Sequence, residues 1–163
     1  MGKKRIDGEL LQAIGNRGEN LVVLAITDYS QFPKPLFRTA PFTGGWPAVD
    51  YVVELTGVRN LTPVLFVQVK STRNPISNGR IEIVLTPKKK RMLARIPGPT
   101  YIIGVQEPTR RVFIRAVFER DGPGVYAIPV TYELTPANLQ VLYDEVKEFW
   151  HSHLRKPRQS HFS

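Results

Sequence analysis

The sequence predicts an α/β fold in which a mixed sheet of about four to five strands is flanked by helices. Three observations carry this. Apolar residues recur at a helical period near both ends of the chain. Between them lie runs rich in β-branched and aromatic residues, bounded by Gly, Pro and Asn. Thr-Pro pairs at 86–87 and 135–136 supply a capping hydroxyl followed by a ring already set for the first helical turn. A length of 163 residues suits one domain, expected over 1–150, with a basic tail over 151–163 expected to be disordered.

A first helix is expected from Gly8 to about Tyr29, on the period of Leu10, Leu11, Ile14, Leu21, Val22, Leu24 and Ala25, with an interruption near Gly15–Gly18. The segment 30–48 carries Pro33, Pro35, Pro41, Gly44, Gly45 and Pro47 and reads as loop, with one short strand around 36–38. DYVVEL at 50–55 and VLFVQVKST at 64–72 are strands, joined as an antiparallel hairpin by the turn residues Gly57, Asn60 and Pro63. RIEIVL at 80–85 is a further strand, and a helix opens at Pro87 and runs to about Ile96. YIIGVQ at 101–106 and RVFIRAVF at 111–118 are strands around a turn at Glu107–Arg110. A last helix from Pro136 carries the stripe Leu139, Leu142, Val146 and Phe149.

The absence of cysteine excludes disulfides and thiolate metal sites. The longest apolar run, LVVLAI at 21–26, is far too short to span a membrane, so the expectation is a cytoplasmic protein with no membrane partner. A formal net charge of +9 is informative for its placement. Lys3, Lys4 and Arg5, Lys88, Lys89, Lys90 and Arg91, and Arg155, Lys156 and Arg158 make ten of the 23 basic residues, and the other thirteen face fourteen acids. A near-neutral body with clustered excess fits a polyanion partner. Lys88, Lys89, Lys90 and Arg91 open a helix, where cations oppose the dipole and a polyanion would relieve them; with Arg73 they are the expected nucleic-acid contacts.

Side chains at i, i+2 and i+4 of a strand share a face, so Phe66, Gln68 and Lys70 point together, and that face turns polar partway along. Pairs across an antiparallel ladder keep a constant sum of residue numbers. If Asp50 lies opposite Gln68, Glu54 lies opposite Val64, and Asp50 sits close to both Gln68 and Lys70. Glu54 shares the face but lies about 7 Å away, at the rim. Mg²⁺ or Mn²⁺ takes few protein ligands, all oxygen; Asp50, Gln68 and the carbonyl of Val69 supply them. Lys70 can stabilise charge on a phosphate or orient a water. The set suits phosphodiester hydrolysis.

An Asp heading one strand, Gln-x-Lys on the next and a preceding helix with a Glu resemble the PD-(D/E)XK nuclease superfamily. Restriction endonucleases, Holliday-junction resolvases and Mrr-type enzymes belong to it, and an uncharacterised prokaryotic family within it is also similar. The matching residues are Glu19 in GNRGENLV, Asp50 in WPAVDYVVEL, and Gln68 with Lys70 in FVQVKST, within a likeness over about residues 8–118. The resemblance implies a restriction-endonuclease-like fold, cleavage of DNA with Mg²⁺ or Mn²⁺, catalytic roles for Glu19, Asp50, Gln68 and Lys70, and leaves a homodimer open. Two departures stand out: no Pro directly precedes Asp50, and Gln68 replaces the commoner acid, removing one negative charge. Two readings therefore stay open, a metal-dependent endonuclease and a catalytically degenerate nuclease fold acting as a nucleic-acid-binding or assembly module. No Gly-rich phosphate loop or Ser-His-Asp arrangement supports another hydrolytic chemistry.

Overall fold

A computed structural model describes residues 8–43, 48–153 and 160. Lys3, Lys4, Arg5, Gly44, Gly45, Pro47, Arg155, Lys156 and Arg158 lie outside the described residues. Helix α1 spans Gly8–Ile26, followed by β1 (Phe37–Pro41), β2 (Tyr51–Leu55), β3 (Val64–Thr72), β4 (Arg80–Leu85), α2 (Pro87–Ala94), β5 (Thr100–Gln106), β6 (Arg111–Ala116), β7 (Val125–Pro129) and α3 (Pro136–His153).

Five strands form one mixed sheet in the order β1-β2-β3-β5-β6. Its centre is β3, antiparallel to β2 and parallel to β5. Tyr51 pairs with Val67 and Glu54 with Val64, the register expected from the sequence. One sheet face, with Leu65, Val67 and Val69, is covered by Val22 and Ile26 of α1 and by Leu139, Leu142 and Val146 of α3. Each such aliphatic side chain taken fully from water contributes about 1.5–3 kcal/mol.

Three sequence expectations are corrected. Helix α1 runs through Gly15 and Gly18 without interruption. Gly18 is a point of close approach, since a Cβ there would lie 1.8 Å from Ser71 Oγ. The strand β4 leaves the main sheet and pairs antiparallel with β7, which the sequence reading missed, as a two-stranded ribbon on the other sheet face. There Ile81, Ile83, Leu85, Val125 and Ile128 pack with Leu93 against Ile102 and Phe113. Gly104 admits the ribbon, because a Cβ on it would meet Ile81 Cδ1 at 2.6 Å. Finally, α3 continues through His151 to His153.

Helix α2 begins as its sequence indicates: the Thr86 hydroxyl accepts the Lys89 N–H, and Pro87 occupies the first turn. Among the described residues no helix is long and apolar enough to cross a membrane.

Candidate active site

The site forms where β2 and β3 part. Asp50 stands one residue before β2, its N–H donating to the Val67 carbonyl at 2.8 Å and its carbonyl accepting from Phe42 at 2.8 Å. The Val69 N–H, which a longer ladder would pair with backbone, instead donates to Asp50 Oδ2 at 2.6 Å. Gln68, on the opposite face of β3 from Val69, is only 4% exposed. Its Nε2 donates to Asp50 Oδ2 at 2.5 Å and approaches the Val69 carbonyl at 3.3 Å. Its Oε1 is buried without a hydrogen-bond partner. A carboxylate oxygen and a carbonyl oxygen thus converge on one point, and an amide N–H fills it.

That point borders a cleft of about 470 Å³ lined by Glu19, Asp50, Gln68, Val69, Lys70 and Lys89. Helix α1 supplies Glu19 from above β2, 3.5 Å from the Tyr51 hydroxyl that donates to it. Burial, then the charge of Asp50, raises the Glu19 pKa, and the Tyr51 hydrogen bond only partly opposes this. Burial, then the Lys89 ammonium arriving from α2, lowers the Lys70 pKa, and Asp50 works against it. The cleft thus gathers two acids, Glu19 and Asp50, and two ammoniums, Lys70 and Lys89, with Lys89 also opposing the dipole at the start of α2. Like charges crowd within each pair, Asp50 raising the Glu19 pKa and Lys89 lowering that of Lys70.

The four expected catalytic residues, Glu19, Asp50, Gln68 and Lys70, line this one cleft. The expected nucleic-acid contacts divide. Lys89 belongs to the cleft itself. Lys88 and Arg91 are exposed on α2. Arg73 is exposed, 3.9 Å from Glu107, which Arg17 holds at 2.9 Å. Lys90 is a correction: it is 1% exposed, and its ammonium donates to the backbone carbonyls of Glu119, at 3.3 Å, and Gly122. It pins a loop and is not available to phosphate. Glu54 is a rim residue, paired with Arg38 at 2.6 Å.

Sequence reasoning did not single out Tyr51 or Ser71. Tyr51 adjoins Asp50 but points to the α1 side of the sheet, where it meets Glu19. The Ser71 hydroxyl lines the cleft, buried and unpartnered beneath Gly18. Among the described residues no group of three His, Cys, Asp or Glu could hold a metal ion. An ion at this site would have to use amide and carbonyl oxygens beside Asp50.

Comparison with protein families and with curated proteins gives no match. Among solved structures the chain is similar to a bacterial homing endonuclease, I-Ssp6803I, with a TM-score of 0.57 and 12% identity, over 93% of this chain and 99% of that one. D212, a nuclease from a fusselovirus, aligns with a TM-score of 0.40 and 11% identity, over 88% of this chain and 90% of that one. At 12% identity the likeness to the homing endonuclease is one of fold: a five-stranded mixed sheet flanked by helices, matched along nearly the whole of both chains.

Proposed function

We propose that the protein is a metal-dependent endonuclease that hydrolyses phosphodiester bonds in DNA. The observation that carries this reading is the convergence of Asp50 Oδ2 and the Val69 carbonyl on the Gln68 amide, beside an orphaned Oε1 and two residues from Lys70 along the same strand. A half-turn of that amide presents Oε1 in place of Nε2. Asp50, Gln68 and Val69 then offer one charged and two neutral oxygens, a set that fits Mg²⁺ or Mn²⁺ with waters completing the shell. Bound there, the ion would supply Lewis-acid polarisation and a more acidic water.

The chain's own groups do the rest. Lys70 and Lys89 hold a phosphate between them, which offsets their mutual repulsion and stabilises charge that grows in the transition state. Glu19, inclined to keep its proton by burial and by Asp50, orients a water in the cleft. The fold shared with a homing endonuclease is consistent with this chemistry.

One observation favours the alternative, a catalytically degenerate module that binds nucleic acid: the position expected to carry a second acid holds Gln68, already hydrogen-bonded to Asp50. Cleavage of supercoiled, branched and single-stranded DNA with Mg²⁺ or Mn²⁺ separates the two. The nuclease reading expects cutting by the wild type and a loss in Lys70→Ala of about 10²–10³ in kcat with binding nearly intact. Binding without any cutting, together with no uptake of Mn²⁺ by calorimetry, would establish the degenerate module instead.

A further inference from the structure

The cleft does not end at Lys70. Lys70 and Ser71 also line a second, shallow groove of about 590 Å³ between the end of β3 and the outer face of the β4–β7 ribbon. Asn74, Arg80, Glu82, Val84 and Tyr126 form its far side. On β4 the alternation is strict: Ile81, Ile83 and Leu85 are buried, and Arg80, Glu82 and Val84 are exposed. The register with β7 shifts between Glu82 and Leu85, and at this irregularity Val84 and Tyr126 stand out at 59% and 55% exposure. Such shifts re-aim side chains beside functional sites. The ribbon itself is firmly seated, through Gly104 beneath it and through Arg115 Nη1, which donates to the Ala127 carbonyl at 3.0 Å.

We propose that the outer face of the β4–β7 ribbon enters the major groove of duplex DNA and reads base edges beside the scissile phosphate. The inference rests on the nuclease reading above. Continuity is the first argument: a phosphate held at Lys70 places its neighbouring nucleotides in the groove that Lys70 shares with the ribbon. Shape is the second. A two-stranded ribbon fits the major groove, about 12 Å wide, and not the minor groove of about 6 Å.

The third argument is composition. The excess charge of this protein is clustered elsewhere, whereas the ribbon face offers one cation and one anion, too little net charge to hold backbone. With Asn74 from the connection between β3 and β4, it offers instead the side-chain types that discriminate bases: an Arg for guanine, an Asn for adenine, a Glu for cytosine, and apolar Val84 and Tyr126 for a thymine methyl. Among the described residues Arg80 has no ion-pair partner, and the Asn74 amide meets Glu82 at 3.4 Å, close enough for the two to read adjacent bases. A platform for single strands would present successive aromatics, and here Tyr126 stands alone in the groove.

The test is selection on the full chain from a randomised duplex library, with sequencing of the bound fraction, alongside cleavage of an unselected duplex. The wild type should enrich a short motif. Arg80→Ala/Tyr126→Ala should lose about tenfold in preference at each base position it no longer contacts, while it unfolds at the wild-type temperature. The proposal is overturned if the wild type cuts duplex with no preference, or if the variant keeps the full motif. It is equally overturned by a preference for single strands that disappears in the variant, or by a change of oligomeric state on sedimentation, which would make the ribbon a protein interface. A wild type that neither binds nor cuts any DNA removes the nuclease reading as well, and so is distinguishable from a failure of the ribbon alone.

Discussion

Replacing Gln68 by Glu turns the proposed ion site into a measurable linkage. Without a divalent cation the change removes the 2.5 Å hydrogen bond from Nε2 to Asp50 and sets a second carboxylate against the first, at a position only 4% exposed. A hydrogen bond to a charged group is worth about 1.5–3 kcal/mol. Two like charges 4 Å apart near a protein surface repel by about 4 kcal/mol, a figure that proton uptake by one of the pair reduces. A net cost on the order of 3 kcal/mol follows, which for a chain of this size lowers Tm by about 6–12 °C. With Mg²⁺ at about 100 times its Kd, binding to the folded state returns about 2.7 kcal/mol, most of the loss. Thermal unfolding in EDTA and in Mg²⁺ reads both numbers. Gln68→Glu should be markedly less stable than wild type in EDTA and should gain more from Mg²⁺. If Mg²⁺ shifts the two proteins equally, Gln68 is not a ligand and the site as described is wrong.

Three further outcomes follow from the same contacts. Gly18→Ala places a methyl 1.8 Å from Ser71 Oγ and 3.1 Å from its Cβ; overpacking of about 1–3 kcal/mol should outweigh the ~1 kcal/mol gained in helix propensity. Urea unfolding should show a net loss that Ser71→Ala partly restores, and a more stable Gly18→Ala would contradict the close approach. Lys90→Ala leaves the Glu119 and Gly122 carbonyls without their donor and should cost about 1.5–3 kcal/mol, whereas Lys88→Ala should stay within about 0.5 kcal/mol yet flatten the salt dependence of DNA binding. Glu19→Gln carries a pH signature. Because the folded state raises the Glu19 pKa, it binds that proton more tightly than the unfolded chain does, so Glu19 weakens the fold as pH rises past the ordinary carboxylate range. The Gln variant should therefore be the more stable protein near neutral pH in EDTA, with the gap closing in acid; a gap that widens in acid would reverse the assignment.

What the sequence made legible was local. The alternation of Leu65, Val67 and Val69 against Phe66, Gln68 and Lys70 set the face, and with Asp50 taken opposite Gln68 the constant sum of residue numbers put Glu54 opposite Val64, the register the structure has. The ribbon was illegible for the opposite reason. RIEIVL declares a half-buried strand but not its partner, and VYAIP is short, follows Gly122, Pro123 and Gly124, and ends in Pro129. Their pairing shows only in the packed structure, where the space above Gly104 admits Ile81 and Ile128. Lys90 shows how a run of like charges hides its exceptions. Four basic residues in sequence look like one solvated face, yet a helix turns about 100° per residue, and Lys90 shares its side with buried Leu93. In α1 the glycines suggested a break, where Gly18 in fact marks a helix pressed onto β3.

The two flanks of β3 are assembled over very different stretches of chain. Its antiparallel neighbour β2 is joined to it by the segment 56–63, while its parallel neighbour β5 arrives only after a crossover, 73–99, that contains β4 and all of α2. Closing the longer loop carries the greater entropic cost, and contacts of high sequence separation form late. The β2–β3 pairing can thus form while the chain is still largely open, whereas β5 joins β3 only once the crossover has closed. Pulsed hydrogen exchange would see the β2–β3 amides protected ahead of those in β5. The hairpin that brings Asp50 beside Gln68 would then be assembled before the sheet gains its parallel half.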